Sequence, residues 1–359
     1  MQIRKLEIAR YRNLTDVSID VSDGVNIFYG DNAQGKTNLI EAIWLFTGGR
    51  SFRGAKDKEL IPIGQETASV TMHFFAEDRD QVANIEIVNR RKATLNGVSL
   101  PSASGLAGRF CAVVFSPAHL TLTELGPAER RKFIDTAYCQ LRPAYIKILS
   151  QYQKTVEQRN ALLKDRRAVS EDLLDVFDDR LAEAGIRVMA ARTAFIKKLA
   201  PMAAEKHSGM SGETEVLTLT YEPTADGSSK EAFLASLQAA RAADIAAGFT
   251  TVGPHRDELN IAINGQSVRR FGSQGQKRSA VLSMKLAEAD LLEEVAGDAP
   301  VILLDDVMSE LDPARQQYLL HHIERRQVFI TCCDPESVSR FGQTYFHVKN
   351  GNVFNQHKK

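Results

Sequence analysis

A short segment near the amino terminus carries glycines, a lysine and a threonine at a spacing suited to phosphate binding. Residues 30–37 read Gly-Asp-Asn-Ala-Gln-Gly-Lys-Thr and match the pattern GxxxxGK followed by Ser or Thr at every fixed position. Glycines let backbone N–H groups curl around phosphate oxygens, and a helix that follows presents its positive end to the same anion. We predict a P-loop that binds ATP, in which Lys36 is catalytic and contacts the β- and γ-phosphates, and the Thr37 hydroxyl ligates Mg²⁺. The predicted nucleotide-binding residues are Gly30, Asp31, Asn32, Ala33, Gln34, Gly35, Lys36 and Thr37.

Two adjacent carboxylates follow an apolar run in the last quarter of the chain. Val301–Leu304 is continuously apolar and leads into Asp305 and Asp306, a pattern typical of a buried strand in a parallel sheet. We predict that Asp305 lies beside Thr37 and Mg²⁺. The neighbouring Asp306 is predicted to be catalytic, because a carboxylate there can orient or deprotonate the attacking water. The alternative is that the two acids cap the next helix.

A third segment, residues 272–276, reads Gly-Ser-Gln-Gly-Gln and precedes the acidic pair, while a Ser-Glu-Leu-Asp segment ending at Asp312 follows that pair. Alone, the third segment is typical of a capped helix start. Together, the motifs resemble the ABC-type ATPases, whose signature is LSGGQ: Ser273, Gly275 and Gln276 match it, and the first and third positions depart from it. This resemblance implies that ATP lies between the P-loop of one subunit and the signature of a second copy, with Asp312 at the same interface.

The elements that position these residues can be predicted from the periodicity of apolar side chains. Val25–Tyr29 is predicted as a strand that runs directly into the P-loop, and a helix follows from Asn38 to about Thr47. Two helices and two buried strands are predicted near the carboxyl end: Gly275–Ala296, Pro313–Arg325, Pro300–Leu304 and Gln327–Thr331. The motifs therefore fall at the ends of strands and the starts of helices.

The middle of the chain has a different pattern. From about Ala128 to Ala204 glycines are few and apolar residues recur at helical spacing. We predict an α/β fold, an ABC/SMC-type P-loop ATPase head with an inserted helical lobe. The ATPase lobe is assigned to residues 1–120 and 205–359, and the helical lobe to 121–204. An insertion at this place resembles the SMC-like branch of these ATPases, which act on DNA, more than it resembles transporter ATPases.

Composition limits the classes of function. The 359 residues include 45 Lys plus Arg and 45 Asp plus Glu, so a nucleic-acid surface would have to be a local patch. Arg130–Lys132 and Arg269-Arg270 are candidate patches, unless they are ordinary solvated faces. The four cysteines lack CxxC spacing, which argues against a zinc site or a disulfide framework. No apolar run is long enough to cross a bilayer and the amino terminus does not resemble a signal peptide, so a cytoplasmic location is expected.

Three further segments indicate which family of these ATPases the chain resembles. They are Tyr11–Leu14, Phe115–Asp135 and Gly253–Asp257. With the motifs above, they closely resemble the RecF family of bacterial recombination mediators over essentially the whole chain. This resemblance implies an ATP-dependent homodimer that binds DNA at single-strand gaps and at junctions of single- and double-stranded DNA. It implies partnership with RecR and RecO, help in loading RecA, and roles in replication restart and the SOS response. Arg12 is a candidate nucleotide contact from the first strand.

Two residues that usually sense the γ-phosphate in ABC-type ATPases are missing from the pattern. Ser116-Pro117 stands where a Gln is usual, and Thr331–Asp334 reads Thr-Cys-Cys-Asp where a His is usual. We therefore expect a weak ATPase that acts as a switch. A transport ATPase subunit and an ATP-gated protein-interaction switch without direct DNA binding are the alternatives. Gly253–Asp257 is either a local turn or an element that couples to DNA or to the subunit interface.

Overall fold

The computed structural model describes residues 1–165, 170–338 and 344–356. In chain order the strands are β1 (Gln2–Ala9), β2 (Val17–Asp20), β3 (Val25–Tyr29), β4 (Ala68–Ala76), β5 (Arg79–Ile87), β6 (Arg91–Leu95), β7 (Val98–Ser99), β8 (Ala112–Phe115), β9 (Leu217–Glu222), β10 (Glu258–Ile263), β11 (Gln266–Ser267), β12 (Val301–Asp305), β13 (Val328–Cys332), β14 (Thr344–Lys349) and β15 (Asn352–Gln356). The α-helices are α1 (Lys36–Trp44), α2 (Pro117–Leu120), α3 (Pro127–Leu141), α4 (Ala144–Lys164), α5 (Glu171–Ser211), α6 (Lys230–Ala247), α7 (Val268–Phe271), α8 (Gln274–Ala296) and α9 (Pro313–Ile323). Within these described ranges, every helix is too short or too polar to cross a membrane.

The chain forms two compact units. The first combines Met1–Leu120 with Val281–Lys359, and the second is Thr121–Ala280. The second unit includes residues 205–280, which the sequence analysis assigns to the ATPase lobe.

A largely parallel sheet in the first unit carries the P-loop. Among the described residues its strand order is β15-β14-β3-β13-β12-β8, and only the β14–β15 pair is antiparallel. Strands β12 and β13 are buried along their whole length, as expected for strands covered on both faces. Cys332 pairs with Tyr29, and Asp305 pairs with Thr331. The carboxyl ends of β3, β13 and β12 therefore lie side by side, where ligands bind in open α/β sheets.

An antiparallel sheet completes the first unit, with the order β2-β1-β4-β5-β6-β7 in the described residues. Strand β4 alternates between buried and half-buried side chains, so one face packs on the core. On α1, Leu39, Ile40 and Ile43 have no exposed surface and share a core with Val70 and Met72 of β4. Burying each such side chain stabilises the fold by about 1.5–3 kcal/mol relative to leaving it exposed. The helix that begins at the phosphate loop is thus anchored by its apolar face.

The second unit packs α3–α6 around one apolar core, with β9–β11 forming a small antiparallel sheet. Tyr152 of α4, Leu181 and Val188 of α5, and Phe233 and Leu237 of α6 belong to the same buried cluster. Residues beyond 204 group with the helices because α6 completes this core. The predicted domain boundary differs from the structure for that reason.

Buried ion pairs also join the helices of the second unit. The Arg159 side chain has no exposed surface, and its Nε and Nη1 atoms donate to Asp178 at 2.8 Å and Asp244 at 2.6 Å. These three residues belong to α4, α5 and α6. Because removing one partner from a buried pair costs about 3–5 kcal/mol, this cluster fixes the three helices against each other.

Candidate functional site

The P-loop lies between β3 and α1, where the sequence predicts it. Gly30 has a φ of 148° and Gly35 a φ of 117°, values that residues with side chains rarely adopt. A Cβ on Gly30 would lie 2.3 Å from the carbonyl oxygen of Val348. In the described structure no side chain caps the amino end of α1 at Gly35, which leaves the N–H groups of its first turn for an anion. The loop therefore fits a bound phosphate.

Lys36 places its ammonium group inside this loop. Its Nζ atom donates to the carbonyl oxygens of Gly30 at 2.5 Å and Asp31 at 2.8 Å, and the residue is 7% exposed. The Sγ atom of Cys333 lies 3.8 Å from Lys36 Nζ and donates to Asn32 Oδ1 at 3.1 Å. The loop thus holds a cation where a terminal phosphate needs one. Cys333 was not among the predicted site residues, because its register against the loop depends on the pairing of β13 with β3.

The two predicted magnesium ligands are in contact. Thr37 donates its hydroxyl to Asp305 Oδ1 at 2.8 Å, and Thr331 donates to the same oxygen at 3.0 Å. Burial raises the pKa of the Asp305 carboxyl, and the hydrogen bonds from Thr37 and Thr331 oppose that rise. Hydroxyl and carboxylate oxygens are the donors that Mg²⁺ prefers, and a bound dication would favour the ionised carboxylate. The residues therefore fit a Mg²⁺ ion that would neutralise charge on the phosphates.

Asp306 follows at a sharp backbone turn. Its φ of 51° lies in the left-handed region, and its N–H donates to Thr331 Oγ1 at 2.9 Å. Burial raises the pKa of the Asp306 carboxyl, the charge of Lys36 opposes this, and Glu310 adds to it. A strained residue with a perturbed carboxyl beside the P-loop lysine is typical of a functional position. Its role as the residue that positions water stays a prediction.

Arg12 is held by α1. Its Nε and Nη2 atoms donate to the Glu41 carboxylate at 2.7 and 2.9 Å, and Tyr11 and Ser51 donate to the same carboxylate. Glu41 has no exposed surface, so this bidentate pair ties the first strand's end to the helix that follows the P-loop. Contact between Arg12 and a nucleotide stays a prediction.

Arg53 is a candidate that the motifs did not single out. Its Nη1 atom donates to Asn38 Oδ1 on α1 at 2.8 Å. Its positive charge acts to lower the pKa of Asp305, and the residue is exposed. Arg53 therefore lies beside the helix that follows the P-loop, and its contact with a bound triphosphate is a prediction. The available sequence signal was an arginine among the glycines that follow α1.

The predicted signature lies in the second unit, at the amino end of α8. Ser273 Oγ accepts from the N–H of Gln276 at 3.2 Å, and Gln276 Oε1 accepts from the N–H of Ser273 at 2.9 Å. This reciprocal pair is a capping box, so the helix-start interpretation holds locally. Ser273 is exposed, and Gly275 is half-buried. A capped, solvent-facing helix end can also receive the phosphate of another subunit, and that role stays a prediction.

Asp312 caps α9 within its own chain. Its Oδ1 atom accepts from the N–H of Arg315 at 3.0 Å, and the Arg315 guanidinium forms an ion pair with Oδ2. The backbone hydrogen bond from Arg315 lowers the pKa of the Asp312 carboxyl. Asp312 is exposed, so it remains a candidate for contact across an interface.

Glu215 and His207 hold the side chain of Gln276, a residue of the predicted signature, in a chain of hydrogen bonds. Gln276 donates through Nε2 to Glu215 Oε1 at 2.8 Å, and Glu215 Oε2 lies 2.9 Å from Nε2 of the buried His207 on α5. Both ends of the Gln276 amide are therefore fixed, one by Ser273 and one by Glu215. Sequence reasoning missed Glu215 because it lies far from Gln276 along the chain.

Replacing Glu215 by alanine is expected to weaken the predicted ATP-driven dimerisation about tenfold, because the lost hydrogen bond frees the Gln276 side chain. ATP affinity of the monomer should not change, since the P-loop belongs to the other unit. Sedimentation with ATP measures the first quantity and a fluorescent ATP analogue the second. Glu215→Gln should restore dimerisation, and Glu205→Ala, at an exposed position of α5, is the matched control. Parent-like dimerisation of Glu215→Ala would remove Glu215 from the site.

The Gly253–Asp257 segment is held by hydrogen bonds to other residues of the second unit. His255 lies 2.7 Å from the Tyr152 hydroxyl and 3.0 Å from the Thr250 carbonyl oxygen. Burial lowers the pKa of His255 to about 4, so its imidazole is neutral near pH 7. Tyr221 donates to the Asp257 carboxylate. These contacts favour the local-turn interpretation over a direct DNA contact.

The parallel sheet, the P-loop and the paired carboxylates define an ATPase head of the ABC/SMC class. A family model described as the RecF/RecN/SMC N terminal domain matches residues 2–354. A relative from Ruminiclostridium cellulolyticum, the DNA replication and repair protein RecF, is 39% identical over 98% of this chain and 99% of its own length. The chain belongs to the RecF family of DNA replication and repair proteins.

Solved structures agree with this membership. One described as the recombination mediator protein RecF with ATP in the RecFOR pathway has a TM-score of 0.91 and 36% identity, covering 99% of this chain and 98% of its own. The Smc head domain of Pyrococcus furiosus, solved with part of ScpA, has a TM-score of 0.57 and 16% identity, covering 99% and 96%. The second likeness shows the fold alone. The predicted ABC/SMC-type fold is confirmed.

Proposed function

We propose that this chain is an ATP-gated, DNA-binding switch of recombinational repair. The observation that carries the proposal is the division of the motifs: Lys36, Thr37 and Asp305 are assembled in the first unit, while the exposed Ser273 belongs to the second. ATP binding joins two copies, each supplying its signature to the P-loop of the other. Hydrolysis removes the γ-phosphate that both copies hold, and the dimer then separates.

Hydrolysis in this scheme is slow. Ser116, at the position where a Gln is usual, lies 3.1 Å from His119 Nδ1. The thiol of Cys333, in the segment where a His is usual, contacts the P-loop. Neither position offers the amide or imidazole that would help to align water and the γ-phosphate, so a long-lived ATP-bound dimer follows.

The dimer is proposed to act in the cytoplasm at single-strand gaps and at junctions between single- and double-stranded DNA. Its partners would be RecR with RecO, and its outcome would be the loading of RecA, replication restart and the SOS response. Support comes from the similarity to a RecF structure described as part of the RecFOR pathway. The family membership leaves a transport ATPase without support.

The two candidate DNA patches differ in the structure. Arg130 is 3% exposed and its guanidinium donates to both carboxylate oxygens of Glu258 at 2.6 Å, and Arg131 donates to the Asp257 carbonyl oxygen. Arg269 and Arg270 are exposed, and their guanidinium groups form no hydrogen bond or ion pair with the described residues. Arg130 and Arg131 are therefore mainly structural, whereas Arg269 and Arg270 are available to DNA phosphates.

Replacing Arg269 and Arg270 together by glutamine is expected to weaken DNA binding and to flatten its salt dependence. Each phosphate contact that is lost removes about 0.9 from the slope of log affinity against log salt for duplex DNA, and about 0.7 for single strands. DNA-binding titrations in the presence of ATP, at several salt concentrations, measure this slope. Arg90→Gln with Lys92→Gln, two exposed cations of the first unit, is the control. If the parent protein binds no DNA with or without ATP, the protein-interaction switch replaces this proposal.

A further inference from the structure

A pocket of about 280 Å³ lies beside the signature in the second unit. The turn between β10 and β11 and the short helix α7 form its walls. Ile263 and Val268 supply an apolar floor, Asn264, Gln266 and Gln276 supply amide groups, and Phe271 supplies an aromatic ring. The pocket thus combines an aromatic ring with hydrogen-bonding amides.

Phe271 is exposed to 69%, although it is a large apolar side chain. It directly follows Arg269 and Arg270, whose side chains have no partner among the described residues. An aromatic ring beside cations is the combination with which proteins bind single-stranded nucleic acid, because the ring stacks on a base while the cations neutralise phosphates. Duplex bases are stacked inside the helix, so only an unpaired base can reach such a ring.

The amide side chains of the pocket differ in how many hydrogen bonds they form within the protein. Gln276 is fixed at both ends by Ser273 and Glu215, and Asn264 Oδ1 accepts from the N–H of Val216 at 2.8 Å. The exposed side chain of Gln266 forms no hydrogen bond with the residues described. Both ends of the Gln266 amide are therefore free to pair with the edge of a base.

We propose that this pocket binds an unpaired nucleobase of DNA, with Phe271 stacked on the base, Gln266 bonded to its edge, and Arg269 and Arg270 on the flanking phosphates. This inference rests on the proposed DNA binding. It specifies that the recognised part of the DNA is an unpaired base. Since Gln276 belongs both to the pocket and to the capping box of Ser273, an occupied pocket lies directly against the signature.

The test uses tryptophan fluorescence and affinity together. The chain has one tryptophan, Trp44, which is 3% exposed in the first unit, so Phe271→Trp adds a distinct reporter. Oligo(dT) should quench this reporter, and an abasic oligonucleotide of equal length should not. Phe271→Ala should weaken oligo(dT) binding about tenfold and leave abasic binding unchanged. Phe354→Trp and Phe354→Ala, at a phenylalanine of β15 exposed to 53%, are the matched controls.

Each contrary result would overturn a different part of the proposal. Parent-like oligo(dT) affinity of Phe271→Ala, with Phe271→Trp unquenched, would overturn the pocket assignment while salt-sensitive DNA binding survives. Quenching of Phe271→Trp by ADP without DNA, under conditions where the proposed dimer is absent, would show that the base belongs to a nucleotide and would overturn the DNA assignment. A parent protein that binds neither oligonucleotide would overturn the proposed function as well.

Discussion

Lys36→Met is expected to abolish ATP hydrolysis, with turnover falling at least about 100-fold. The Lys36 ammonium lies inside the loop, bonded to the carbonyl oxygens of Gly30 and Asp31, where it can neutralise charge on the transferred phosphate. Methionine keeps much of the side-chain volume and removes the charge. Phosphate release at saturating ATP is the measurement.

Two further variants make this test specific. Lys58→Met removes an exposed lysine of the first unit and should hydrolyse ATP at the parent rate. Lys36→Arg should also be inactive, because a forked guanidinium does not replace a compact ammonium in this loop. If Lys36→Arg still dimerises and binds DNA, hydrolysis is needed for release and not for assembly. Parent-rate hydrolysis by Lys36→Met would show that the site assignment is wrong.

Ser273→Arg is expected to abolish ATP-driven dimerisation and to leave ATP binding by the monomer intact. Ser273 is exposed at the amino end of α8 and its hydroxyl accepts the N–H of Gln276. Arginine removes that cap and places a long side chain where the phosphate of the second copy would lie. Loss of the cap costs only about 1 kcal/mol, so the second unit should stay folded.

Ser229→Arg is the matched control for Ser273→Arg. Ser229 caps α6 in the same unit by accepting from the N–H of Ala232, so its replacement loses an equivalent cap and adds the same charge. It should dimerise like the parent. Equal loss of dimerisation in both variants would mean that Ser273 acts only as a cap.

The geometry of the candidate phosphate site could be predicted because its sequence signals are local. The glycines, Lys36 and Thr37 are contiguous, and the apolar run before Asp305 predicts a buried parallel strand. Two such strands in one sheet end at the same edge, so the contact between Thr37 and Asp305 follows from pattern and topology.

The parts that the sequence did not predict depend on distant contacts. The 205–280 region joins the helical unit because Phe233 packs into a core built by helices well before it. Arg130 and Arg269 look alike in the sequence, yet one is buried against Glu258 and the other is exposed. The pattern of apolar residues identifies buried faces, but it does not predict which charged side chains form ion pairs. Glu215 was missed for the same reason.

Sedimentation equilibrium of the parent protein with ATP, with ADP and without nucleotide would show whether one ATP is shared by two copies of the chain. A pocket completed by two copies predicts a dimer with ATP, dissociation with ADP, and a monomer of Ser273→Arg in every condition. A protein that binds ATP and stays monomeric at high concentration would contradict the account, since no second signature could then reach the phosphate.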